Sequence, residues 1–89
     1  MPSRNTFFKP SFTEQERDEC MAWFEAHMDE LPQGMLIDKS IATNDLKQTV
    51  SSMIAVLRNQ NVTRRSTYCG YMSILLRIRA MVEQNIHNS

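Results

Sequence analysis

The sequence predicts a small all-α fold, a three-helix bundle around one core with an extended connector between helices one and two. Three observations lead there. The chain has 89 residues, room for one domain and not two. Its apolar fraction of 42% and charged fraction of 22% are those of a globular protein and exclude a disordered one. Three segments repeat their apolar residues at the 3.6-residue period of a helix, and Pro, Gly, Asn and Thr separate them.

Residues 1–10 read as a loose N-terminal arm, with Pro2 and Pro10 bracketing polar residues, and residues 11–89 as the single helical domain. Phe7 and Phe8 are the only apolar pair of the arm, and they are expected to fold back on the body. The first helix starts at Ser11 or Thr13, since both begin a capping box, with Glu14 and Glu16 respectively. Its stripe is Cys20, Met21, Trp23, Phe24 and Met28. Leu31-Pro32 ends it, because a residue before proline avoids the helical basin.

Residues 31–43 read as a connector. The run Met35-Leu36-Ile37 is expected to lie extended over the helices, without a second strand to pair with. The second helix starts near Thr43 or Asn44, with Asp45 suited to the positive end of the helix dipole. Leu46, Val50, Met53, Ile54 and Leu57 form its stripe, and it frays at Asn59-Gln60-Asn61. The third helix starts near Thr63 or Ser66 and runs towards Ile86. Tyr68, Tyr71, Met72, Leu75, Ile78, Met81, Val82 and Ile86 make the clearest apolar stripe in the chain, widened by Ile74 and Leu76. Gly70 inside this helix costs about 1 kcal/mol relative to Ala, which predicts the close approach of another helix backbone. Short connectors predict roughly antiparallel neighbours.

Taken together, Trp23-Phe24, Leu31-Pro32, Leu36 with Asp38-Lys39, Asp45, Ala55-Val56-Leu57-Arg58, Tyr71 and Leu76-Arg77 resemble a family of short uncharacterised domains from Bacteroidetes. The resemblance covers about residues 15–83. It implies a helical fold and no established activity, so it assigns no catalytic residue. The Asn-Val-Thr-Arg-Arg linker departs from the family, which tends to place Gly and Pro there.

Catalytic chemistry is poorly supplied. His27 and His87 stand in no Ser/His/Asp or Cys/His arrangement, and His27 reads as a solvated residue at the end of an acidic helix. Cys20 and Cys69 read as small buried side chains rather than reactive thiols. No CxxC or clustered His/Cys spacing suggests zinc, no glycine-rich loop suggests a phosphate cradle, and no cofactor is expected. No apolar run approaches the roughly 20 residues of a bilayer crossing, and residues 1–10 lack the apolar core of a signal peptide. A cytoplasmic protein with reduced thiols and no membrane association is the expectation.

Charge is the more informative feature. The formal net charge is zero, yet residues 1–45 carry four basic residues against nine acidic ones, a net −5, and residues 46–89 carry six against Glu83 alone, a net +5. On the first helix Glu14 faces Asp18 and Glu25 faces Asp29 at i,i+4, and Asp29 and Glu30 occupy the wrong end of the helix dipole. Glu14, Asp18, Glu25 and Asp29 therefore form a candidate acidic interaction face, unless arginines of helices two and three compensate it within the chain. Thr63, Arg64, Arg65 and Ser66 at the head of helix three, with Arg58, are candidate anion or nucleic-acid contacts. The linker is long for a helix-turn-helix, and most nucleic-acid binders are basic. The width of the third apolar face adds a homodimer through helix three to the expectations, against a helix that is simply central and covered on all sides. The sequence thus favours a protein-interaction or oligomerising module without catalysis, its partner a protein or a second copy. A small nucleic-acid-binding protein is the runner-up.

Overall fold

The computed structural model describes residues 12–59 and 64–87. The arm, Phe7 and Phe8, the alternative cap Ser11, the fraying Gln60-Asn61 and Thr63 lie outside the described residues. The order of elements is α1 (Glu14–His27), a turn of 3-10 helix (Met28–Glu30), β1 (Met35–Asp38), β2 (Ile41–Thr43), α2 (Leu46–Arg58) and α3 (Arg65–His87). The three helices are those expected. The all-α assignment is corrected: the molecule is mostly helical, but its connector folds into a two-stranded antiparallel hairpin.

Thr13 caps α1. Its hydroxyl accepts the Glu16 N–H at 3.0 Å, and the Glu16 carboxylate accepts the Thr13 N–H at 2.8 Å. This reciprocal pair satisfies two of the donors that every helix start leaves open. At the other end the helix tightens to 3-10 geometry. Leu31 then turns extended at ψ 136°, as Pro32 requires of the residue before it.

The hairpin pairs Met35 with Thr43, Leu36 with Ala42 and Asp38 with Ile41, which leaves Ile37 as the extra residue of a bulge. Strand alternation exposes Leu36 to 65% and buries Ile37 to 2%. The bulge turns the Ile37 carbonyl away from β2, and Arg77 Nε of α3 donates to it at 2.9 Å. At the base of the hairpin the Leu46 N–H donates to the Gln33 carbonyl at 3.0 Å, and the Gln33 amide donates to the Asn44 carbonyl at 2.9 Å. Thr43 and Asn44 are thus used by the hairpin, and α2 begins one residue after Asp45, whose carboxylate accepts the Gln48 N–H at 3.3 Å.

α3 is the central element. Its 23 residues span about 35 Å at 1.5 Å each, against a longest molecular extent of 38 Å. It buries Cys69, Met72, Leu75, Ile78 and Val82. Phe24 and Cys20 of α1, and Leu46, Val50, Ile54 and Leu57 of α2, close over this face with Leu31 and Ile37. Contacts between α1 and α3 advance in step, Arg17 lying near Tyr68 and Trp23 near Arg79, so these two helices run in the same direction where they meet.

The two glycines carry opposite constraints. A Cβ on Gly34 would meet the Thr43 carbonyl oxygen at 2.7 Å, so the hairpin closes there because no side chain intervenes. A Cβ on Gly70 meets no described atom within 4 Å, which overturns the expected close helix approach at that position. Gly70→Ala should therefore stabilise by up to about 1 kcal/mol by removing the helical cost of glycine. Gly34→Ala should destabilise by about 1–3 kcal/mol through overpacking. Urea unfolding of the two variants checks both signs.

Candidate functional site

The charged residues singled out in the sequence do not converge on one place. Arg58 at the end of α2 bonds and ion-pairs with Glu25 of α1 across the bundle. A candidate anion contact and a member of the candidate acidic face thus neutralise each other. Both side chains are 57% exposed, so the pair contributes little, up to about 1 kcal/mol. Asp18 is held by Arg17 of its own helix, Nη2 to Oδ1 at 3.0 Å. Glu14 and Asp29 are exposed and have no cation partner among the described residues. Among the described residues the arginines of α2 and α3 thus reach one member of the four-residue acidic face, Glu25, and Arg17 of α1 reaches a second.

Arg64, Arg65 and Ser66 are exposed at the head of α3, while Thr63 lies outside the described residues. One turn further on, Tyr68 feels the charges of Arg17, Asp18 and Glu14. The acidic start of α1 thus stands close to the basic start of α3. Burial pushes the Tyr68 phenol up, and the Arg17 guanidinium offsets part of that shift. An incoming phosphate near Tyr68 would meet carboxylates as well as guanidinium groups.

His27 keeps about a third of its side chain, 32%, exposed at the helix end, but it is not free in solvent. It stacks on Trp23 with ring centroids 4.2 Å apart and planes at 13°. Its Nδ1 lies 2.7 Å from the Trp23 carbonyl oxygen, which can only accept, so Nδ1 carries a proton, and its Nε2 lies 3.8 Å from Glu30 Oε1. The Arg79 guanidinium lies 5.4 Å from the Trp23 ring centroid, and Phe24 meets the indole edge-on. These contacts fasten the end of α1 to the second half of α3.

The feature missed in the sequence is a groove between β1 and the second half of α3. It holds about 520 Å³ and is lined by Leu36, Ile37, Asp38 and Lys39 on one side and by Arg77, Ala80, Met81 and Gln84 on the other. Leu36 forms its lip. Arg77 is anchored at Nε by the Ile37 carbonyl, and its guanidinium has no other partner among the described residues. Asp38 accepts the Lys39 N–H at 2.6 Å, which fixes the turn at the end of the groove. Alternation within Met35-Leu36-Ile37 was the available signal: if Ile37 faces the core, Leu36 cannot.

Both thiols are buried. Burial raises Cys20 to about 11, with nearby Arg79 lowering it in part, so the sulfur stays a protonated, weak nucleophile at neutral pH. Among the described residues no group of three or more His, Cys, Asp or Glu is placed to hold a metal ion. No described helix is long and apolar enough to cross a membrane.

Fold and surface define a small, mostly helical domain that carries a β-hairpin on its central helix. A family model described as a domain of unknown function (DUF6965) matches residues 15–84, and the chain belongs to that family. No curated protein and no solved structure matches the chain.

Two expectations follow from these groups. In a double-mutant cycle, Glu25→Ala and Arg58→Ala should couple by at most about 1 kcal/mol, less at high salt. Cys20, raised in the folded state, binds its proton more tightly there than in the unfolded chain. Its contribution is complete below the ordinary thiol range and is lost as pH rises from about 9 towards about 11. Denaturation midpoints across that window should fall more steeply for the wild type than for Cys20→Ala.

Proposed function

We propose that this chain is a protein-interaction module, acting in the cytoplasm and doing no catalysis of its own. The observation that carries this reading is Leu36, a leucine 65% exposed at the lip of an apolar groove with charged residues on its rim. Natural surfaces expose single apolar residues freely, but a protruding leucine beside a concave apolar floor is the form of a contact site. Buried cysteines outside any disulfide suit a reducing compartment.

A nucleic-acid-binding role rests on Arg64, Arg65 and Ser66, exposed at the start of a long helix. It ranks second for two reasons on the structure: Arg58 is engaged with Glu25, and Glu14 and Asp18 stand close to Tyr68, one turn into α3. Opposite substitutions separate the two roles. In affinity purification with quantitative mass spectrometry, Leu36→Glu should deplete bound protein at least about tenfold, the loss expected of a contact hot spot. Arg64→Glu with Arg65→Glu should leave it unchanged. The same double variant should make no difference to the anisotropy of a labelled duplex or single strand. Salt-sensitive binding of either strand that disappears in the double variant would replace the first reading with the second.

A further inference from the structure

We infer that the β1–α3 groove is a self-docking face, whose occupant is the same groove of a second copy of this chain. The inference rests on the protein-interaction reading and names its partner.

The first argument is shape. Leu36 projects from β1, and the opposite wall of this shallow, open groove offers Ala80, the smallest side chain of the lining, and Met81, a flexible one. A two-fold axis through such a face places each Leu36 over the other copy's floor, and both insertions form at once. A partner offering only a knob would fill the floor and leave Leu36 in water.

The second argument is charge. The rim bears both signs, Asp38 against Lys39 and Arg77. An acidic partner would meet Asp38 as a like charge, and a basic one would meet Lys39 and Arg77. With the two-fold axis along the groove, the β1 rim of one copy faces the α3 rim of the other, which sets Asp38 against Arg77 in both halves of the contact. Arg77 enters this pairing already oriented, because its Nε is fixed by the Ile37 carbonyl at 2.9 Å.

The third argument is where the remaining charge lies. α1 meets α3 through Tyr68 and Arg79, eleven residues apart and so on one helix face. Arg77 projects about 200° around the axis from Arg79. The acidic side chains of α1 therefore lie on the far side of α3 from the groove, and two copies docking through it keep those faces apart.

Its eight lining residues fall well short of the roughly 20–30 a side of a standard interface, so the association should be weak, of micromolar order. Sedimentation equilibrium of the full chain from about 5 to about 500 µM, a range that brackets that affinity, is the test. The mass should rise from the 10.4 kDa of one chain towards twice that value. Leu36→Glu removes the knob. Ala80→Arg fills the floor that would receive it. Both positions are exposed, so circular dichroism should show both variants folded, and both should weaken the dimer at least about tenfold. Ser51→Glu, on an exposed position of α2, should leave it unchanged. A wild-type chain that stays monomeric throughout overturns the second copy as occupant, and the purification with Leu36→Glu then decides separately whether another protein takes its place. A dimer that survives both Leu36→Glu and Ala80→Arg overturns this face while leaving an oligomerising module in place.

Discussion

The apolar face of α3 is the surface on which α1, α2 and β1 all pack. Met72, Leu75 and Ile78 are fully buried on it, and Val82 nearly so. Neither α1, with fourteen residues, nor α2, with thirteen, buries more than four side chains. Isolated helices of such length are marginal in water and depend on tertiary packing for most of their stability. The hairpin is still more dependent, since two short strands do not persist alone. It is kept by Ile37 in the core and by the Arg77 hydrogen bond, one apolar and one polar tether to the same helix.

Helices and their caps were legible because their signals are local and redundant. Leu46, Val50, Ile54 and Leu57 recur at helical steps, and all four are buried. Thr13 with Glu16 is a complete capping box within four residues, and only the choice between it and Ser11 was open. The hairpin escaped because its second strand, Ile41-Ala42-Thr43, is three residues long, shorter than any pattern of alternation can announce. Its register also depends on a bulge that only the position of α3 explains. Gly70 misled for a related reason. A glycine in a helix signals its backbone cost locally, but whether anything occupies the space beside it is a property of distant chain.

The charge asymmetry was visible in the sequence, but its resolution was not. Arg58 and Glu25 are 33 positions apart, and composition cannot announce such a pairing. Their contact turns part of the −5 and +5 division into an internal link. Glu14 and Asp29 on one side, and Arg64 and Arg65 on the other, remain as surface. His27 shows the same limit. Its place in an acidic helix implied solvent, whereas the ring shares the surface of Trp23, an aromatic contact at i,i+4 reinforced by a backbone hydrogen bond.

The Arg77 guanidinium on the Ile37 carbonyl also bears on how this protein can fail. A short hairpin at a protein surface offers a template for open-ended strand addition, the first step of fibril growth. On β1 the carbonyl set free by the bulge is already occupied, and the side chain that occupies it carries a charge. A strand approaching that edge would have to displace a bound cation for the sake of a single hydrogen bond. Contacts at this edge are thereby left to side chains, whose shapes close on themselves and stop, rather than to the backbone, whose pairing has no natural end.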